Sequence, residues 1–275
     1  MTQTIFITGA SSGIGKATAH YFHDRGWNVV ATLRNPTQAG DLVDLPRVLV
    51  TRLDVTDGSS IAAAVEAAYA RFGGIDVLLN NAGYGAYGPL EAFDMEGIRR
   101  QFDTNVIGLL EVTKAVLPSM RAQGKGVIVN ISSIGGRMTF PLGSLYHGTK
   151  FAVEGLSEAL HYELEPLGIR VKIVEPGMIA TDFSGRSFDF RQTPDLTAYQ
   201  PVVDKLFAVL GSPELAATAS PPSVVSETIW VAATDGTSNL RYTAGPDAAA
   251  YMAARSAQDD ATFISGVKAQ FGLGG

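Results

Sequence analysis

The chain reads as an α/β protein with a doubly wound, mostly parallel sheet and helices on both faces. Three observations lead there. Short apolar runs alternate with amphipathic segments along the first half of the sequence. Those runs are apolar throughout, as strands covered on both faces must be. The first run also ends in a glycine-rich turn, Gly9-Ala10-Ser11-Ser12-Gly13-Ile14-Gly15, that leads directly into a helix.

Ile5-Phe6-Ile7-Thr8 is the first strand, and an amphipathic helix from Lys16 to Arg25 follows the turn. Gly26 ends that helix as a C-cap. Glycines in such a turn let the backbone approach a pyrophosphate closely, and the helix N-terminus offers unpaired N–H groups. The spacing here is Gly-x-x-x-Gly-x-Gly. Asn28–Leu33 is the second strand. In a dinucleotide-binding fold its end faces the adenosine ribose, where NAD sites usually carry an acid. This chain has Leu33-Arg34 and no acid before Asp41. Arg34 suits a 2′-phosphate, which its guanidinium can bind through two oxygens; the other reading is a solvated surface arginine. NADP(H) is therefore the expected cofactor, with NAD(H) bound more weakly. Ser11 or Ser12 could add a hydroxyl contact.

Val48–Leu53 forms the third strand, with Asp54-Val55 at its carboxyl end. A helix from Asp57 to Phe72 stops at Gly73-Gly74. Ile75–Asn80 is the fourth strand and leads into Asn81-Ala82-Gly83. In a sheet of this kind ligands bind outside the carboxyl ends of the strands. Met95 to Arg121 reads as one long helix with Asn105 inside it. Asn prefers caps and turns, and Gly108 nearby would permit a local distortion. Asn105 is either a tolerated polar residue or a side chain or freed carbonyl that holds a water near a reaction centre.

A further strand, Gly126–Ser133, precedes a helix running toward Leu167. On that helix Tyr146 and Lys150 are four apart and share a face. A phenol titrates near ~10, and a neighbouring cation favours the phenolate. Such a pair could move a proton on or off an oxygen, although Tyr-x-x-x-Lys alone is a common coincidence.

Composition narrows the function classes. The chain has 275 residues, 46% of them hydrophobic, and a net charge of −6. It has no run of Lys or Arg, which argues against a nucleic-acid partner. It contains no cysteine, so disulfides and thiolate metal sites are excluded. His20 and His23 lie three apart on a helix but have no evident third ligand, and no metal is expected. The N-terminus has no basic segment or cleavage site, and no apolar run approaches ~18 residues. A cytoplasmic protein without membrane partners is the expectation. No internal repeat or linker interrupts residues 1–275, which read as a single domain.

Taken together, the motifs resemble the classical short-chain dehydrogenase/reductases. The matching residues are Thr8 to Gly15, Asp54-Val55, Asn80 to Gly83, Asn105, Ser133, Tyr146 with Lys150, and Pro176-Gly177 with Thr181. They occur in order over about residues 1–245, and the thirteen-residue step from Ser133 to Tyr146 also fits. Ser132 competes with Ser133 for the catalytic role; the spacing favours Ser133. The resemblance implies a Rossmann fold of seven strands, the last near Leu240–Thr243. It implies a catalytic tetrad of Asn105, Ser133, Tyr146 and Lys150. It also implies a cofactor site made by Gly9, Ser11, Ser12, Gly13, Ile14, Gly15, Arg34, Asp54, Val55, Asn81, Ala82 and Gly83. That site would be completed by Tyr146 and Lys150 and closed by Pro176, Gly177 and Thr181. His147 is assigned a structural role, and Asn130 hydrogen bonds that support the backbone.

After Thr181 the pattern breaks. Residues from Asp182 to about Pro222 hold scattered aromatics, Gly and Pro, and in the family this region folds over the substrate as a lid. A helix follows through Ala233, and the extension from Pro246 is partly helical. Tyr84, Tyr87, Met138, Phe140 and Phe183 flank the catalytic motifs and would make an apolar pocket for a hydrophobic ketone, aldehyde or alcohol. The stretches around Arg34 and Tyr84–Leu90 look similar to carbonyl reductases related to hydroxysteroid and retinol dehydrogenases. Family members commonly form dimers or tetramers through helices equivalent to Met95–Arg121 and Ser144–Leu167. Some members bind cofactor as sensors without turnover, but these usually lack the tyrosine or the lysine.

Overall fold

The computed structural model describes residues 2–181 and 187–274. Among them, seven strands form one all-parallel sheet: β1 (Thr4–Thr8), β2 (Asn28–Leu33), β3 (Val48–Arg52), β4 (Val77–Asn80), β6 (Gly126–Ile131), β7 (Ile169–Pro176) and β9 (Arg241–Ala244). Their order is β3-β2-β1-β4-β6-β7-β9. Two short strands, β5 (Gly85–Tyr87) and β8 (Phe188–Phe190), pair separately above the carboxyl end of the sheet. This is the doubly wound Rossmann architecture that the alternation of apolar runs and helices predicts.

The side-chain period of two divides each central strand between two cores. Ile5 and Ile7 of β1, Val29 and Ala31 of β2, and Val127 and Val129 of β6 face one core. There they meet α1 (Gly13–Asp24) and α8 (Pro222–Thr234), through Phe22, Val225 and Ile229. Phe22 and Trp27 also pack edge-on against each other, 5.1 Å apart. Phe6, Val30, Leu78 and Ile128 face the opposite way. They meet α2 (Gly58–Phe72), α4 (Gly108–Gln123) and α5 (Ser144–Leu164). A side chain on either face of a central strand is thus removed from water, which is why these runs carry no polar alternation.

The segment expected as one long helix from Met95 to Arg121 is not uniform. α3 (Met95–Phe102) passes into a π-helical turn, Asp103–Ile107, before α4 begins. Asn105 lies inside that turn. Gly108 is not the source of the distortion, since its backbone is ordinary α-helix at φ −61°. It is glycine for packing: a Cβ there would stand 2.7 Å from Val55 Cβ.

The stretch expected as a lid contains β8, α6 (Gln200–Leu210) and α7 (Pro213–Thr218) among its described residues. The extension beyond Gly245 forms α9 (Pro246–Ala257) and α10 (Asp260–Gln270). It packs back on the rest of the molecule, among other places, at Phe140 and at α6. Phe140 packs on Tyr251 and Phe271 with ring centres 5.7 and 5.8 Å apart. Lys205 of α6 donates to the Gly272 carbonyl. Among the described residues no helix is long and apolar enough to cross a membrane.

Candidate active site

The strand order reverses at β1, whose neighbours β2 and β4 carry the chain in opposite directions. The crevice outside the carboxyl ends of the strands opens there. Thr8, the last residue of β1, organises it. Its hydroxyl accepts from the amides of Asn81 and Ala82, both at 3.0 Å. Asn81 Nδ2 in turn donates to the carbonyls of Thr8 and Gly9 at 2.9 and 3.1 Å. The glycine-rich turn is thereby braced against the end of β4. Gly9 and Gly13 adopt positive φ, +71° and +53°, which favours glycine. Gly15 admits no side chain, because a Cβ would lie 2.3 Å from the Gly9 carbonyl oxygen.

Ser12 is the N-cap of α1, yet no side chain caps that end and the first turn holds no acid. The N–H groups of the first turn therefore face the crevice, as an anionic phosphate requires. An open cleft of about 640 Å³ adjoins this end, lined by Gly13, Lys16, Ala17, His20, Ala180, Thr181 and Pro222. Thr181 Cγ2 would lie 3.4 Å from a Cβ on Gly13, so the segment after β7 closes directly over the turn. Lys16 pairs with Asp41 at 2.7 Å and holds its carboxyl below the usual range. Arg34 is exposed at the end of β2, and among the described residues it has no hydrogen-bond or ion-pair partner. Asp54 accepts from the amide and hydroxyl of Thr56 at 3.0 and 2.8 Å, and Val55 is buried against α4. These residues fit a dinucleotide: an uncapped helix end for the pyrophosphate, a close backbone approach, and a free cation beside the adenosine end.

Ser133, Tyr146 and Lys150 converge at the end of β6. Ser133 follows that strand and accepts from the Gly135 amide at 3.0 Å. Its hydroxyl hydrogen-bonds with that of Tyr146. Lys150 Nζ donates to the Ile131 carbonyl at 2.9 Å and lies 5.8 Å from the Tyr146 ring centre. Ser132 is buried at 2% exposure on the other side of the chain, with a hydroxyl that has no partner among the described residues. The spacing argument for Ser133 therefore agrees with the geometry.

Two expectations need correction here. Burial raises the Tyr146 pKa, and the hydrogen bond from Ser133 only partly opposes this. The Lys150 ammonium, turned toward the Ile131 carbonyl, does not offset this burial. Burial instead lowers Lys150 itself to about 8, opposed by Glu154. The Asn105 side chain is likewise engaged by protein groups, so of the two forms of that expectation only the main-chain carbonyl is left to hold a water. Its Oδ1 accepts from the Tyr84 amide at 3.0 Å. Its Nδ2 donates to the Tyr84 carbonyl and the Thr149 hydroxyl at 2.8 and 3.1 Å. Thr149 then donates to the Tyr146 carbonyl at 2.7 Å. Asn105 thus links the loop after β4 to the start of α5.

His147 is structural, as expected. It is 2% exposed, accepts from the Phe140 amide through Nε2 at 2.9 Å, and bonds the Gly135 carbonyl through Nδ1 at 2.9 Å. Burial lowers it to about 4, so it is neutral at pH 7. Asn130 supports side chains rather than backbone. It accepts from Asn80 Nδ2 and donates to Ser157 Oγ, each at 2.9 Å, tying β4 and β6 to α5.

Of the five pocket candidates, Tyr87 meets Tyr146, with ring centres 5.4 Å apart. Phe188 of β8 covers Tyr87 from the other side at 5.0 Å. Burial raises Tyr87 well above the ordinary phenol value. Tyr84 turns to α3, where its hydroxyl accepts from Arg100. Met138 is buried at 3% exposure, and Phe140 is covered by the C-terminal helices. Phe183 lies outside the described residues.

The sequence reading missed a charged network beneath Lys150. Glu154 stands one helical turn further on and accepts from Arg241 Nε at 2.9 Å. Glu175, beside Pro176, pairs with Arg137 at 3.3 Å. Burial and the nearby Glu154 push Glu175 up to about 7. Isolated acids and arginines on four separate elements give no local signal that they meet.

Comparison with known proteins agrees with this geometry. The family model for short chain dehydrogenase matches residues 3–192. An uncharacterised oxidoreductase of Schizosaccharomyces pombe is 49% identical over 88% of this chain and all of its own length. A 3-ketodihydrosphingosine reductase of Bacteroides thetaiotaomicron is 44% identical over 71% of this chain and 69% of its own. The crystal structure of a short-chain dehydrogenase from Streptomyces avermitilis superposes with a TM-score of 0.83, at 34% identity and full coverage of both chains. The chain belongs to the short-chain dehydrogenase family. It is an oxidoreductase of that family, with the NAD(P)-binding Rossmann fold.

Proposed function

We propose that the protein reduces a hydrophobic ketone or aldehyde with NADPH, or oxidises the corresponding secondary alcohol. The observation that carries this reading is the convergence of Ser133, Tyr146 and Lys150 beside an aromatic wall. When bound, the nicotinamide cofactor supplies the hydride. Ser133 and Tyr146 donate hydrogen bonds to the substrate oxygen and polarise the carbonyl. Tyr146 then transfers its proton to that oxygen. Lys150 keeps a positive charge beside the phenol and, by resemblance to the family, holds the nicotinamide ribose. Asn105 fixes the loop that carries Tyr84 relative to the helix that carries Tyr146.

Three features support an apolar substrate. Tyr87 packs on Tyr146, and Phe188 packs on Tyr87. One relative is named for a 3-ketodihydrosphingosine. Another, 36% identical, is a retinol dehydrogenase 8 of Bos taurus. Arg34 favours NADPH. A structure of a Burkholderia cenocepacia relative, 25% identical with a TM-score of 0.76, is a complex with NADP. A Brucella melitensis 3-ketoacyl-(acyl-carrier-protein) reductase, 26% identical with a TM-score of 0.73, is complexed with NADH. The family thus accommodates both, and the charge at Arg34 is what supports NADPH here.

The test measures kcat/KM with NADPH and NADH over a panel of apolar ketones and aldehydes, for wild type and Arg34→Ala. A charge-assisted contact to a 2′-phosphate is worth roughly 1.5–3 kcal/mol, or ~10- to 150-fold. The mutant should lose NADPH efficiency by that factor while NADH use stays nearly unchanged. Equal efficiency with both cofactors in wild type, or an unchanged ratio in the mutant, removes the assignment. Cofactor binding without turnover on any substrate would favour a redox sensor.

A further inference from the structure

We propose that Asp247, in the C-terminal extension, is a positioning residue for the turn Pro176–Thr181 and thereby sets the affinity for the nicotinamide half of the cofactor. The inference rests on the cofactor reading above. Asp247 lies beyond the 3–192 stretch that matches the family model. It sits in the first turn of α9, immediately after β9. Its Oδ2 accepts from the Met178 amide at 2.6 Å. The carboxylate is pressed onto Gly177, where a Cβ would stand 2.2 Å from Oδ2 and 2.5 Å from Oδ1. On its other side is Gly245, at φ +110°, where a Cβ would be 2.7 Å from Oδ1. Asp247 Oδ1 is buried, with no hydrogen-bond partner among the described residues.

A buried carboxylate oxygen without a partner is costly, so such a group persists where its other contacts hold it. Here those contacts fix a single short segment. The same turn is held by Gly177 donating to the Ala244 carbonyl at 3.1 Å. Ser220 donates to the Met178 carbonyl at 2.9 Å and accepts from Ala180 at 2.8 Å. Asp247 supplies the acceptor for the Met178 amide. Ala180 and Thr181, at the end of this turn, line the cleft beside Gly13. A displacement at Met178 therefore reaches the wall of the cofactor cleft within two or three residues. Arg34, at the end of β2, is not among the residues that line this cleft.

This separation gives a ligand-selective test. Wild type, Asp247→Ala and Asp247→Asn are titrated by calorimetry with NADPH and with 2′-phospho-ADP-ribose, which lacks only the nicotinamide. Asp247→Ala should weaken NADPH by ~10-fold, the effect of one lost charge-assisted hydrogen bond. It should leave 2′-phospho-ADP-ribose within ~2-fold. Asp247→Asn keeps an acceptor of the same shape and should restore NADPH binding to within ~3-fold. It also keeps the test open if the alanine variant does not fold. Equal losses on both ligands would mean a general structural role and overturn the inference, as would unchanged NADPH binding in both variants. Wild type that binds neither ligand overturns the cofactor reading itself, and this inference with it.

Discussion

At Lys150 two influences oppose each other. Burial lowers its pKa to about 8, while Glu154, four residues on, acts to keep it charged. The ammonium is therefore present at pH 7 and lost as pH rises through about 8. The proposed reduction should slow on the alkaline side over that range. Glu154→Gln removes the opposing charge and should move the alkaline limb to lower pH; a limb that does not move would exclude Glu154 from this tuning. Tyr146→Phe removes the proton donor and should lower kcat by ~10²–10⁴-fold while NADPH still binds. Activity within a few-fold of wild type would take Tyr146 out of the chemistry. These residues were legible because the fold repeats them in order at fixed steps along the chain. Their electrostatics were not: a tyrosine–lysine pair in sequence gives no sign of how deeply each is buried or where the ammonium turns.

The π turn at Asp103–Ile107 shows the same limit in secondary structure. A π turn shifts the hydrogen-bond register by one residue, which changes no apolar period that a sequence displays. It aims Asn105 at the main chain of Tyr84, where one side chain satisfies a donor and an acceptor. Asn105→Ala leaves both groups, and the Thr149 hydroxyl, without that partner. The variant should be destabilised by roughly 2–4 kcal/mol, read from the denaturant midpoint. It should also lose activity, because the link from Tyr84 to the Tyr146 carbonyl is broken. A midpoint within experimental error of wild type would show that water replaces the amide there. The three-residue strand β8 was likewise hidden inside a stretch that reads as irregular. Only pairing with β5 makes it a strand, and that pairing puts Phe188 over Tyr87. Phe140 illustrates the reverse error. Its neighbours in sequence suggested a pocket, whereas Tyr251 and Phe271, more than a hundred residues away, cover it.

For the molecule as a whole, acid should act through His147. Its folded pKa of about 4 lies below the ordinary 6.5. The imidazole is neutral in both states above pH 6.5, and its burial becomes unfavourable as pH falls from 6.5 through 4. A gap of 2.5 units corresponds to roughly 3 kcal/mol. Over that window wild type should lose about this much more stability than His147→Asn, measured by urea unfolding at each pH. Parallel pH curves would contradict it. Glu175 runs the other way: its raised pKa makes stability fall as pH rises from 4.5 through about 7, which is why the comparison must be with the variant. Ile107, Phe151, Tyr162 and Leu167 remain exposed on or beside α4 and α5. Apolar side chains placed this way predict self-association across these helices, and a monomer by light scattering at micromolar concentration would refute it.

The order of the strands in the sheet also bears on the order in which the protein emerges from the ribosome. The four neighbouring strands β3-β2-β1-β4 are all contained in the first 80 residues. A nascent chain can therefore assemble the mononucleotide half, and the Thr8 brace with it, before Tyr146 has been synthesised. The strands added later extend only one edge, β6, then β7, then β9. Asp247 comes just after the last of them, so the turn it holds is completed only once β9 has been made. Until then β7 is an unpaired edge in a parallel sheet, the interval in which a stalled or truncated chain is most exposed to pairing with the wrong partner.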